Sequence, residues 1–511
     1  MLTRLKVTGF KNLVDVDIRF GPFTCIAGAN AVGKSNLFDA IQFLSALADK
    51  PLVDAALSIR NEEARTSDIR SLFHRVGEKY DDEMSFTAEM IIPPEGVDDL
   101  GQPAEASRTF LSYTLNLSYR PGTTEQTDRL EVRKEELRHL KITDAGHTLL
   151  FPSEIEWKQS VLRGKRLSRF FISSDEEKGL IKLHQDSGQG RALSLAASKL
   201  PRTVLSTTNA LENRTALLAR REMQSWRLLQ LEPSALRKPD NFTDPRHLAS
   251  NGAHLAATLH RLVQSANDTR SIPDPSGYLA ARLYDLIQDV QEVWVDRDEK
   301  RELYTLCIKG GDQTPHQARL LSDGTLRFLA LGVIEIDSEA QGVLCLEEPE
   351  NGIHPARIPA MLKLLQDIAV DPTKSVGPDN PLRQVIINTH SPAVVAQVPD
   401  DALIVAKLHE DVPKDVLGFK KAVFGCLSDT WRTQKSRDGT PSTQYVIAKG
   451  DLLAYLDPIP KPTTADASDE SPSSEPKALQ PKAGATQHRG RRVIDRPDVQ
   501  PLLFSFENDA Q

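Results

Sequence analysis

The chain has 511 residues, 39% of them hydrophobic, and a formal net charge of −8. That length suggests two or three domains, and the acidic balance excludes a polycation, so any nucleic-acid binding must come from local basic patches. Four scattered cysteines (Cys25, Cys307, Cys345, Cys426) form no CxxC pair, against a zinc site; with no signal peptide and no apolar run of roughly 20 residues, this predicts a cytoplasmic protein without a membrane span.

Residues 1–50 read as strand, turn, strand, loop and helix. Leu2 to Phe10 is the first strand, and Val14, Val16 and Ile18 alternate with polar residues as in a half-buried second one. Phe23 to Ala27 reads as a buried strand, Gly28 to Ser35 as a glycine-bearing loop, and Asn36 to Leu47 as a helix with apolar residues at Leu37, Ile41, Leu44 and Leu47. Residues 84–92 and 111–119 alternate again, which predicts two antiparallel strands joined by the polar loop 93–108. Residues 126–300, rich in Leu, Arg and Glu, read as a mainly helical insertion without sustained heptads. Residues 301–460 return to α/β character, with apolar strands at Gly342–Leu346 and Gln384–Asn388 flanking a helix near Ile358–Ala369. Residues 461–499 have almost no large apolar residues and read as disordered. They are followed by Leu502, Leu503, Phe504 and Phe506, either a docking peptide or a terminus packed on its own domain. The expected divisions are therefore 1–125, 126–300, 301–460 and 461–511.

Gly28-Ala29-Asn30-Ala31-Val32-Gly33-Lys34-Ser35 fits GxxxxGK[ST] between a strand and a helix. Its glycines let backbone N–H groups turn toward phosphate, and the helix N-terminus adds positive potential. Lys34 supplies charge to the β/γ oxygens and Ser35 a hydroxyl for Mg²⁺. Asn30, Gly33 and Asn36 complete the expected nucleotide contacts. Far downstream, Val343-Leu344-Cys345-Leu346-Glu347-Glu348-Pro349 is an apolar strand ending in two acids. Neighbouring strand side chains face opposite ways, so the two carboxylates have different roles. Glu347 is assigned to Mg²⁺, and Glu348 to polarising the attacking water.

Lys34 and Glu347 lie over 300 residues apart, which implies a large insertion within one P-loop domain. Leu321-Ser322-Asp323-Gly324-Thr325 resembles the signature loop of ABC-type ATPases, and Thr389-His390-Ser391-Pro392 their switch histidine. The order of motifs resembles the SMC/RecF/OLD branch, particularly stand-alone bacterial ATPases often labelled AAA family. The likeness covers residues 1–50 and roughly 310–410 well, and the insertion only through Leu231-Glu232-Pro233 and Asn251-Gly252. It implies an ABC-type α/β head with an antiparallel N-terminal part, ATP and Mg²⁺ as cofactors, and a homodimer that sandwiches ATP. Ser322 and Gly324 would reach the γ-phosphate in trans, although Ser322 also reads as a plain helix N-cap. His390 would contact the γ-phosphate or the water, Asn351 to His354 would lie at the dimer seam, and Lys11 and Asn12 would touch the nucleotide.

Three departures stand out. Glu347 replaces the usual Asp, as in OLD-like relatives. Asp323 replaces a signature glycine, so its carboxylate must point away from the γ-phosphate. No glutamine loop is evident, although Ser71 to Arg75 falls where one is expected. The acids after His390 (Asp400, Asp401, Asp451) lack the Toprim nuclease pattern. Three roles stay open: control of a separately encoded effector in phage or foreign-DNA defence, RecF-like DNA binding in repair, and slow nucleotide sensing. Glu348 argues against the last. For DNA, the candidate patch is Lys158, Arg163, Lys165, Arg166 and Arg169, beside Phe170 and Phe171. Two further basic clusters lie at Arg129, Arg133, Lys134 and at Arg214, Arg220, Arg221, Arg227.

Overall fold

The computed structural model describes residues 1–59, 68–122, 128–141, 149–164, 168–186, 190–269, 274–287, 290–411, 418–433, 445–456 and 491–496. Two large sheets dominate it. The first has eight strands, all paired antiparallel, in the spatial order 193–196, 180–183, 170–175, 129–139, 110–120, 83–91, 2–10, 13–19. The second has seven, in the order 227–229, 342–347, 383–389, 23–27, 403–411, 419–426, 445–446, and its first five are mutually parallel. Strands buried on both faces read as unbroken apolar runs: Val385, Ile386 and Ile387 are all fully buried. A smaller antiparallel sheet joins Val290–Asp298 to Leu303–Gly310.

The helix Lys34–Leu47 packs between the sheets. Its buried Leu37, Phe38, Ile41, Phe43, Leu44 and Leu47 each contribute about 2 kcal/mol of apolar burial. Phe43 meets Phe10 and Phe86 in an aromatic cluster with centroids 5.5 to 6.0 Å apart. Gln384, fully buried, ties the sheets together. Its carbonyl accepts from Leu2 N (2.9 Å), and its amide donates to Leu2 O and Gly21 O (both 2.8 Å). Arg383 is equally buried, and its pKa is pushed down to about 10 by desolvation, against the pull of Asp337 and Glu335. It donates to Ile368 O (2.7 Å), Glu335 O (3.1 Å), Asp337 O (3.2 Å) and Ile334 O, so one guanidinium satisfies carbonyls at the C-terminal ends of helices Asp323–Ile336 and Ile358–Ile368.

The insertion is not mainly helical. Residues 129–139, 170–175, 180–183 and 193–196 are strands that extend the antiparallel sheet, and helices prevail only from Arg214 onward. A bulge between Val132 and Lys134 shifts the register, so the buried positions pass from Leu130 and Val132 to Glu135, Leu137 and His139. The period of two is thereby hidden, in a stretch whose Arg, Glu and Leu favour helix. Glu135 is fully buried and accepts from Tyr113 Oη (3.1 Å), Val204 N (2.7 Å) and Leu205 N (2.8 Å). Desolvation raises its pKa to about 7 against those three donors.

The expected disordered tail is also corrected in part. Residues 491–496 dock on the parallel sheet's domain: Val493 is fully buried, and Arg491 and Arg496 both donate to Asp400. The apolar cluster at 502–506 lies outside the described residues. Among the described residues no helix is long and apolar enough to cross a membrane.

Candidate functional site

Parallel strands bring their carboxyl ends to one edge, where α/β folds bind ligands. Here the edge gathers the loop after Ala27, the acids after Leu346 and the histidine after Thr389. Gly28 N donates to Thr389 O (3.2 Å), which fixes the start of the phosphate loop to its neighbour strand. Gly33 has φ 109°, and a Cβ there would lie 2.7 Å from the Asn12 amide, so only glycine fits. Lys34 spans the loop, donating to Gly28 O (2.6 Å) and Ala29 O (2.8 Å). Burial lowers its pKa, while Glu348, Glu347 and Glu350 oppose that shift.

The acidic strand lies two places from the phosphate-loop strand, with Arg383–Thr389 between them. Asn388, buried on that middle strand, organises both acids. Its amide donates to Glu347 Oε1 (3.4 Å), and its main-chain and side-chain oxygens accept from Glu348 N (3.0 and 3.1 Å). Glu348 takes φ 45°, a left-handed conformation that costs a non-glycine residue on the order of 1 kcal/mol. The turn places its carboxylate between Asn351 Nδ2 (2.8 Å) and His390 Nδ1 (2.7 Å). Burial raises the Glu348 pKa, but hydrogen bonds from Asn351 and His390 and the charges of His390 and Lys34 outweigh it, and the net shift is downward. The surroundings of Glu348 therefore favour its charged carboxylate form. Glu350 behaves oppositely: burial raises its pKa, and one oxygen accepts from Thr389 Oγ1 while the other is buried without a partner.

Asn30, Ala31, Gly33, Lys34, Ser35, Asn36, Glu347, Glu348, Asn351 and Asn388 line one open cleft of about 560 Å³. Five expected nucleotide contacts and both acids thus converge. Ser35 and Glu347 offer oxygen donors there, a set suited to Mg²⁺, which when bound would neutralise phosphate charge. Nothing in the sequence marks Asn388, because a lone Asn inside an apolar strand carries no motif.

Other expected residues fall elsewhere. Lys11 does not line this cleft; its ammonium is 2.7 Å from the buried carboxylate of Asp39. The Ser71–Arg75 segment packs behind the loop, where His74 Nδ1 meets Lys11 O (2.8 Å), and it supplies no cleft residue. Ser322 caps helix Asp323–Ile336 through Thr325 N (3.2 Å), and it and Asp323 are exposed outside their own chain's cleft. Of the candidate DNA patch, Lys158 is half-buried in a short helix, Arg163 and Arg169 are exposed, and Lys165 and Arg166 lie outside the described residues. Phe171 is a fully buried core residue, so no base can stack on it. Arg129 and Arg133 face Glu131, Lys134 meets Glu136 and Glu176, and Arg220 and Arg221 meet Asp99.

A family model described as "AAA domain, putative AbiEii toxin, Type IV TA system" matches residues 23–396, from the phosphate-loop strand to just past the histidine. The chain belongs to this AAA_21 family. Its fold is the mixed α/β fold of a P-loop NTPase, as the motif order implied. No curated protein matches the AAA_21 chain. Among solved structures, it is similar to an Smc head bound to the C-terminal winged-helix domain of ScpA, at 12% identity, covering 83% of this chain and 98% of that one, with a TM-score of 0.43. It is also similar to an SMC head domain from Thermotoga maritima, at 10% identity, covering 81% and 99%, with a TM-score of 0.33.

Proposed function

We propose that this AAA_21 protein hydrolyses ATP in a head-to-tail dimer of the SMC/RecF/OLD type. The observation that carries this reading is the contact between Glu348 and His390 at the mouth of the cleft that holds Lys34 and Ser35. Lys34 and the loop N–H groups bind the phosphates. Glu348, ionised and fixed by Asn388 and Asn351, accepts the proton of the attacking water. His390 donates from Nδ1 to Glu348, which fixes its tautomer and leaves Nε2 for the γ-phosphate or the water. The exposed start of the signature helix suits completion of the site by a second copy, with Ser322 and Gly324 supplied in trans. The family description, with its putative toxin of a type IV toxin–antitoxin system, supports a role in controlling a separately encoded effector in defence.

The test measures mass in solution with saturating ATP and Mg²⁺. Glu348→Gln should run as a dimer with ATP and a monomer without it. Lys34→Ala should stay monomeric and lose ATP affinity by about tenfold to a hundredfold, as expected for a lost charged contact. A Glu348→Gln protein that stays monomeric with ATP bound would refute the sandwich.

A further inference from the structure

Where ABC-type signatures carry a glycine, this chain has Asp323, a negative charge beside the position expected for a γ-phosphate. The structure shows what meets it. Arg237 Nη2 donates to Asp323 Oδ1 and also to Leu321 O (3.0 Å). Both ends of the pair are partly exposed, at 31% and 53%. Arg237 comes from the insertion, just after the one-turn helix Pro233–Leu236.

That turn is held rigidly. Gln230 N and Glu232 N donate to Ser250 O (2.8 Å) and Asn251 O (2.9 Å). Gly252, at φ 90°, lies so close to Leu236 that a Cβ would meet it at 2.7 Å. The two short stretches of the insertion that resemble the family, Leu231–Pro233 and Asn251–Gly252, thus together aim one arginine at the signature.

We propose that Arg237 is a positioning residue that neutralises Asp323 and holds its carboxylate off the γ-phosphate path, so that Ser322 and the N–H groups of the signature helix meet the phosphate. This rests on the dimeric ATPase reading above. An unpaired Asp323 would repel the triphosphate as the site closes, where screening by water falls. It would leave nucleotide binding to the open cleft untouched, because Arg237 and Asp323 do not line it.

The experiment compares wild type, Arg237→Met, Asp323→Gly and the double variant, with three readouts: ATP affinity of the monomer, ATP-dependent dimerisation and turnover. Arg237→Met should keep its ATP affinity within about twofold, yet lose dimerisation and turnover by about tenfold or more, the scale of a charged hydrogen bond. Asp323→Gly should remain active, and adding it to Arg237→Met should restore activity. Rescue separates charge compensation from mere support of the loop through Leu321 O, which a glycine at 323 cannot replace. Failure of rescue, with Asp323→Gly itself active, would overturn the proposal, as would an Arg237→Met protein equal to wild type. A wild type that neither dimerises nor turns over ATP would refute the parent reading instead, and this proposal with it.

Discussion

Replacing Glu348 by Gln removes one negative charge and keeps the shape of the side chain. The glutamine carbonyl can still accept from Asn351, and its amide can donate to the Nδ1 of His390 if the imidazole changes tautomer. The native contacts lie at 2.8 and 2.7 Å, on a side chain that is 29% exposed. Exchanging charged for neutral hydrogen bonds in such a half-open site is expected to change stability by only about 1 kcal/mol. The chemical step should suffer far more. Loss of a positioned general base slows turnover by about 10²–10⁴-fold, equivalent to about 3–5 kcal/mol of activation free energy. Single-turnover phosphate release measures the step, and equilibrium binding of ATP measures what should stay constant. Glu348→Gln turnover within about threefold of wild type would remove this residue from the role of base, because a general base typically contributes about 10²-fold or more.

Two further outcomes concern the fold. Gln384→Leu should lower stability by about 3 kcal/mol, because two bonds to Leu2 of the antiparallel sheet and one to the loop carbonyl of Gly21 vanish and their backbone partners stay buried; urea denaturation checks it, and an unchanged midpoint would deny the glutamine its bridging role. Glu135 has its pKa raised from 4.5 to about 7, so the folded state holds a proton that the unfolded state releases across that window. Its contribution is complete below pH 4.5 and falls as pH rises toward 7. Glu135→Gln removes this dependence, so its stability relative to wild type should rise by up to about 3 kcal/mol between acidic and mildly alkaline pH. Paired urea titrations at the two pH values that gave a constant difference would contradict it.

The cleft was legible in the sequence because its parts are local. A glycine loop, an apolar strand ending in acids and a strand ending in histidine each announce themselves within about eight residues. What joins them was not legible. Asn388 aligns the two acids across strands whose register the sequence does not print, and the left-handed turn at Glu348 sits on a residue type that gives no sign of it. The pairing of Lys11 with Asp39, one turn into the phosphate-loop helix, has no signal in the sequence either. A bulge breaks the alternation of the strand 129–139, so its sequence imitates a helix. The docked segment 491–496 gives no sign in the sequence, because one buried valine among arginines has no period to detect.

Arg383 and His390 stand at opposite ends of one stretch of chain. Between them runs the strand Arg383–Thr389, about 20 Å long at its usual rise and buried throughout. Such a strand is stiff, so it acts as a connecting rod. Its near end grips the tail of the signature helix, and its far end carries the histidine that touches Glu348. In the proposed dimer, that signature helix serves the partner's nucleotide while the histidine serves the chain's own. In that dimer one buried strand would join, within a single protomer, the histidine beside the chain's own nucleotide to the helix that meets its partner's, a direct route by which the two sites could be coupled.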